Sequence, residues 1–346
     1  MTADRAFGPF LKRLAAILVT VALVALVLQL SALLLMIFGG ILIAVILRAG
    51  ANAAVRWTGV NAKVAVLLVV LAVVVVVGVA GTLMGAQVAS EFARLLEQLP
   101  AAVDHAESWL RGLPWVEQML RQSDDGGGDI FSRVTSVAST AMGAVTNLLV
   151  ALIVALFLAL DPGLYQRGVL HLFPVDKRQR VGEVLLAVAG AMRDWMKGQV
   201  IVMLAVGAMT FVGLMVLGAP LPIALAVLSG LLNFIPFIGP VLAAIPAVLV
   251  ALGDSPHLGL WVALLYLVVQ QIEGNILQPL IQKRAVALPP ALTIFTAVAM
   301  GVLLGFPGMV LATPLLVALF VIVRMAYVED VLGDQISGPP KEEDGT

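Results

Sequence analysis

The sequence has no cysteine, only three histidines and little charge: 12% of its 346 residues are Asp, Glu, Lys or Arg. Without cysteine there is no disulfide, no thiol nucleophile and no thiolate metal site. His105, His171 and His257 stand apart in polar connectors, with no metal-ligand spacing between them, so no metal and no cofactor are expected. A glycine-rich phosphate loop is also missing, which removes ATP hydrolysis by this chain. Serines and threonines have no His/Asp partner, so no catalytic constellation forms and an enzyme is not expected. A net charge of −1 gives no bulk attraction for nucleic acid. What is abundant is apolar: 61% of residues, against roughly 45–50% in a soluble domain. Too few polar residues remain to coat a core of that size, and the solvent implied is lipid.

A bilayer core needs about 20 apolar residues per spanning helix, and only helices or closed barrels satisfy the backbone there. The long runs do not alternate, so they read as helices. Candidate spans are 14–30, 32–47, 64–85, 141–160, 199–218 and 258–272, with two interrupted apolar regions at 220–252 and 289–323. The first run is too long for a signal peptide and leads through Ser31 straight into the second, which reads as a helical hairpin. The fold class expected is an all-α polytopic membrane protein of about eight transmembrane helices, with one or two broken or re-entrant hairpins and an extracytoplasmic amphipathic segment. Its divisions are 1–85 (three spans), 86–140 (the amphipathic segment), 141–198 (the fourth span and a basic segment), 199–328 (a transport core with broken helices) and 329–346 (a disordered cytoplasmic tail).

In 86–140, Phe92, Leu95, Leu96 and Leu99 can share one helical face, and Asp124 to Asp129 read as a loop. Two placements are open for this segment: the membrane surface, or a neighbouring subunit. It carries Arg94, Arg111, Arg121 and Arg133 against eight acidic residues, whereas 161–198 holds Arg167, Lys177, Arg178, Arg180, Arg193 and Lys197. The positive-inside rule puts 161–198 in the cytoplasm and 86–140 outside, with both termini cytoplasmic. The same rule makes 220–252 a hairpin that enters and leaves by one face. Only then do Lys283, Arg284 and Arg324 also fall inside. Pro236, Gly239 and Pro240 mark its reversal, and Gly305-Phe306-Pro307-Gly308 interrupt 289–323 in the same manner. For that second region, two short spans and a re-entrant hairpin both remain open. A shift of 68 residues pairs Pro222 with Pro290 and Pro246 with Pro314, the layout of an inverted repeat.

Two polar clusters interrupt the apolar core. Glu273 stands in the run Gln270 to Pro279 that closes the 258–272 span, and an ionisable residue at membrane depth is costly. Helical spacing places Gln271, Asn275 and Gln278 near one face. Asn233 opens the other cluster, at the broken segment through Pro236, Gly239 and Pro240. A broken helix frees N–H and C=O groups that a solute can use. The substrate path is therefore read at Asn233, Pro236, Gly239, Pro240, Gln271, Glu273, Asn275 and Gln278. A plainer reading leaves Asn233 capping a turn and Glu273 at a helix end in the headgroup region.

The motifs Asn233-Phe234-Ile235-Pro236-Phe237-Ile238-Gly239-Pro240, Glu273-Gly274-Asn275-Ile276-Leu277-Gln278-Pro279 and Ala312-Thr313-Pro314-Leu315 resemble those of the bacterial autoinducer-2 exporter family. The resemblance covers most of the chain in layout, and its motifs fall within 228–316. Pro289-Pro290 departs from the single proline more usual there. The resemblance implies an inner-membrane secondary transporter that assembles as a homo-oligomer and exports a small polar solute. It also implies sodium or lithium/proton antiport as an alternative, since some members are associated with that activity. A non-transporting membrane scaffold is the remaining reading. The partners expected are the lipid bilayer and a small polar solute or cation, with no nucleic acid.

Overall fold

A computed structural model describes residues 18, 26, 29–111, 150–282 and 288–334. Among them every regular element is a helix, as the long unalternating apolar runs require. The helices are α1 (Ser31–Thr58), α2 (Ala62–Arg111), α3 (Val150–Leu160), α4 (Pro162–His171), α5 (Arg178–Leu217), α6 (Pro222–Leu232), α7 (Ile238–Asp254), α8 (Pro256–Ile272), α9 (Gln278–Gln282) and α10 (Pro290–Val323). Among these residues five helices are long and apolar enough to cross a membrane, or six if the bent pair α3–α4 counts as one span. Most of the first expected span, residues 112–149 with the Asp124–Asp129 loop and the start of the fourth span, Lys283, Arg284 and residues 335–346 of the C-terminal tail lie outside the described residues.

The reversal expected at Ser31 is not found there. Leu30 N–H bonds Leu26 O, Leu34 N–H bonds Leu30 O, and the backbone passes into α1 with only a local irregularity at Leu30. No glycine or proline stands at that point to force a turn. α1 then runs on to Thr58, past the apolar limit at Leu47, and ends on Gly59 in a left-handed conformation.

α2 is one helix of 50 residues, about 75 Å at 1.5 Å per residue. It continues without a break from its apolar start into the amphipathic stretch, through Pro100. Phe92, Leu95 and Leu99 pack on a core made by α5, α6, α7 and α8, while Leu96 is exposed. The described part of the segment thus packs on its own chain, on the hairpin that follows α5. One interaction fixes this contact. Glu91 Oε2 accepts from Ile223 N–H at 2.9 Å and Ala224 N–H at 3.0 Å. These are orphan donors of the first turn of α6, and a carboxylate there also meets the positive end of the helix.

α6 and α7 are shorter than a full span. The N-terminus of α6 meets Glu91, and Gly253 at the end of α7 meets Ala102, so both ends lie against the same stretch of α2. The pair is therefore a hairpin whose two ends both return to α2. α10 also folds back. Gly305 has φ 67° and ψ −159°, a conformation open to glycine, and Gly308 sits against Met300 while Gly301 sits against Met309. In a straight helix those partners would be about 12 Å apart. Arms 290–304 and 306–323 therefore form a second hairpin. A reversal at Gly305 is common to two short spans and to a re-entrant hairpin.

Basic residues tie the other ends together. Arg48 Nη1 donates to Ala159 O at 3.1 Å, and Lys63 pairs with Asp161 at 3.7 Å. Asp161 ends α3 and caps α4 through Leu164 N–H, with the two helices bent by 88°. Arg180, at the start of α5, bonds Glu183, Glu329 and Asp330. The ends of α1 and α3 and the start of α2 thus meet at one set of basic contacts. The start of α5 and the C-terminal end of α10 meet at another.

Replacing Glu91 by alanine leaves two donors of α6 unpaired and is expected to cost about 1–2 kcal/mol, the effect of losing a helix cap. Thermal unfolding of the purified chain in detergent should show a Tm lower by several degrees, with Glu91→Gln intermediate. An unchanged Tm would mean that the carboxylate does not hold the hairpin.

Candidate functional site

The hairpin between α6 and α7 breaks at Asn233 to Phe237. Phe237 has φ 66°, a left-handed value costly for a residue with a side chain, and Ile238 N–H closes a tight turn on Pro236 O at 2.8 Å. Gly239 follows, and a Cβ there would strike Leu232 O, so the return arm requires glycine. Proline at 236 and 240 removes two more N–H donors that could extend a helix. The sequence makes this break inside apolar surroundings, and the freed Asn233 carbonyl needs a donor. It finds Gln199 Nε2 of α5 at 2.6 Å. Phe234 packs edge-on against Trp195, centroids 5.7 Å apart, one turn earlier on α5. The tip therefore meets α5 at the basic end of its apolar run, two residues from Lys197.

α8 breaks next to it. At Glu273–Leu277 the helix widens to a π turn, in which Gln278 N–H bonds Glu273 O five residues back. Pro279 explains the position, because it lacks the N–H that would bond Asn275 O and its ring crowds that carbonyl. In an α-helix, residues 273 and 278 would stand about 140° apart around the axis; one extra residue in the turn removes about 100° of that. Gln278 comes round toward Glu273, and its side chain engages the carboxyl.

Asn233 and Glu273 meet in the protein interior, 0% and 2% exposed. The Asn233 carboxamide faces the carboxyl. The geometry is poor, however: Nδ2 and Oδ1 of Asn233 and Oε2 of Glu273 are all buried without a well-formed bond. Among the described residues no lysine or arginine pairs with Glu273, and no group of three or more His, Asp or Glu side chains could hold a metal ion. One turn up the hairpin, Ser229 and the Tyr266 hydroxyl are bonded at 2.7 Å, and Ser229 also donates to Leu225 O. These groups are satisfied, in contrast to the pair beside them. The arrangement is a buried carboxylate among neutral amides, set where two broken helices meet a continuous one.

The eight residues read from the sequence are therefore divided. The structure brings Asn233, Glu273 and Gln278 together, with Pro236, Gly239 and Pro240 shaping the tip that carries Asn233. Gln271 and Asn275 are exposed on the outer face of α8 and bond each other, Asn275 Nδ2 to Gln271 Oε1 at 3.0 Å. The helical spacing that grouped them with Gln278 fails because the π turn lies between. Gln199, Ser229 and Tyr266 were missed. The signal for Gln199 was its place as the first polar residue after Lys197 in an apolar run, and for Tyr266 its hydroxyl within the 258–272 span.

Residues 15–327 match the model of the AI-2E family transporters. The chain belongs to that family. It is a multi-pass membrane protein of a transporter family. It is 31% identical over 272 residues to MT0215 of Mycobacterium tuberculosis, covering 74% of this chain and 73% of that one. It is 29% identical over 219 residues to YrrI of Bacillus subtilis, covering 61% and 60%. Both are named for transport, with no substrate in the name. TqsA of Escherichia coli, named as an AI-2 transport protein, is 27% identical over 230 residues, covering 64% of this chain and 62% of its own. The chain spans only half to three fifths of the length of the two Bacillus relatives it matches, YueF and YrrI.

If Asn233 only capped the turn, removing its amide would loosen the tip. Its backbone already makes the structural bonds, and an unpartnered buried polar atom costs about 1–3 kcal/mol. Asn233→Leu, similar in volume, should therefore leave the Tm of the purified protein equal or higher. A fall of several degrees would show that the side chain holds the turn.

Proposed function

We propose that this protein is a secondary transporter of the inner membrane that exports a small polar solute of the autoinducer-2 kind. The solute would pass between the hairpin tip and the π turn of α8. The observation that carries this reading is the buried contact of Asn233 with Glu273, in which both polar side-chain atoms of Asn233 and Oε2 of Glu273 lack a well-formed bond. A segment in lipid tolerates such atoms where they line a route for something polar. A neutral solute rich in hydroxyl groups matches Gln199, Asn233 and Gln278, because an amide both donates and accepts. Glu273 would couple the step to a proton. The family and the name of the TqsA relative support transport of that signal.

The exporting core is 199–328 in this reading, with 1–85 as the surrounding spans and 86–140 outside the cell as a brace on the hairpin. Both termini face the cytoplasm, on the side of the basic contacts. A homo-oligomer gives the exposed Gln271–Asn275 pair a protein neighbour instead of lipid. These two residues flank the path without lining it.

Cation/proton antiport is the second reading. It is favoured by one feature, that Glu273 has no basic partner among the described residues. A cation or a proton would then be what its charge meets.

Flux from purified protein in liposomes separates them. Autoinducer-2 is loaded inside, with a pH gradient on or off, and Glu273→Gln is run beside the intact chain. Protein-dependent efflux is expected, falling about tenfold or more in the variant, the effect of losing at least 1.4 kcal/mol of barrier stabilisation. Efflux untouched by the substitution removes Glu273 from the path. No efflux, with sodium or lithium collapsing a pH gradient only when Glu273 is present, overturns export in favour of antiport.

A further inference from the structure

A cleft of about 450 Å³ lies between the end of α1 and the first half of α5, lined by Ala49, Asn52, Val55, Arg56, Arg193 and Lys197. That volume falls within the roughly 300–1,000 Å³ of small-ligand sites. Three cations share it with one carboxylate. Arg193 is bonded to Asp194 at 3.0 Å through Nε, and Lys197 reaches the same carboxylate at 3.9 Å. Arg56 spends Nε on Asn52 O at 3.3 Å and has no acidic partner among the described residues. The cleft therefore carries a surplus of two positive charges, and both terminal nitrogens of Arg56 remain available to a ligand.

Its level along the helices identifies the ligand class. The apolar run of α1 ends at Leu47, just before Ala49, and that of α5 begins at Gln199, just after Lys197. The cleft sits immediately beyond both runs, where phospholipid headgroups lie, and Ala49 and Val55 give it an apolar wall. The basic contacts of the cleft are not used by the buried polar pair.

We propose that this cleft binds a phosphate group, that of an anionic phospholipid, with Arg56 and Lys197 as its principal cations and Asn52 as a neutral donor. The bound headgroup would join α1 to α5 at the membrane surface, beside the point where α5 receives the hairpin tip.

The full-length protein in detergent is titrated with phosphatidylglycerol, with phosphatidylcholine and with inorganic phosphate, and the Tm is followed; co-purified lipid is weighed by native mass spectrometry. Phosphatidylglycerol is expected to raise the Tm well above phosphatidylcholine. Its apparent affinity should fall about fivefold for each charge removed, so about 25-fold in Arg56→Gln/Lys197→Gln. Arg56→Lys should keep most of the affinity, and Arg56→Gln alone serves if the double variant folds poorly. Competition by millimolar inorganic phosphate would assign the same site to free phosphate. Equal response to the two lipids with no response to phosphate, or binding unchanged in both Gln variants, overturns the proposal.

Discussion

A helix broken in water is solvated, but one broken in lipid leaves N–H and C=O groups with nothing to bond. That constraint arranges this structure. The core contains breaks at Asn233 to Phe237, at the π turn of α8 and at Gly305, and each is resolved in a different way. The first is answered by another helix, through Gln199. The second keeps its own bonds by lengthening the turn, Gln278 N–H to Glu273 O. The third uses a glycine conformation to fold the chain directly back on itself. The start of the first hairpin, where Pro222 ends any continuation from above, is answered by Glu91.

The helices that supply these partners are the two longest, α2 and α5. Each extends well past the thickness of a bilayer, and the excess length has a use. The C-terminal part of α2 carries Glu91 and the packing residues Phe92, Leu95 and Leu99. The N-terminal half of α5 carries Trp195 and Gln199. One helix fixes the ends of the α6–α7 hairpin, and the other fixes its tip. With the backbone of Asn233 satisfied from α5, its carboxamide is left to face Glu273 and does not need to repair the turn.

Much of this was legible because lipid is a demanding solvent. Runs of Val, Leu and Ala had to be helices, proline and glycine marked where they break, and a lone carboxyl in the run before Pro279 stood out by rarity. What stayed hidden depends on contacts between distant elements. Nothing near Glu91 says that it caps a helix 132 residues later. Leu96 shares the spacing of Leu95 and Leu99, but only the docked surface decides that it stays exposed. Gln271 and Asn275 were grouped with Gln278 on a regular helix, and a single extra residue in one turn separated them. At Ser31, two apolar runs divided by one polar residue resemble a hairpin, yet a serine can bond within its own helix and forces no turn.

The chemistry at the centre follows from an asymmetry between the two partners. Asn233 is neutral, so its burial costs unmade hydrogen bonds, about 1–3 kcal/mol. Glu273 is ionisable, and an isolated buried carboxylate is far more costly than that unless a proton or a cation balances it. The side chain of Gln278 engages the carboxyl and that of Asn233 faces it without a well-formed bond, and neither carries a charge. On the proposed path, an occupant would answer two needs: hydrogen bonds for Asn233 and charge balance for Glu273. A hydroxylated neutral solute meets the first and leaves the second to a proton; a metal cation meets the second and leaves the amides as its oxygen ligands. The two proposed readings, export and antiport, would thus be two occupancies of one arrangement, a single carboxylate with neutral neighbours. The difference between these readings is in what the movement of the proton is coupled to, a neutral solute or a cation.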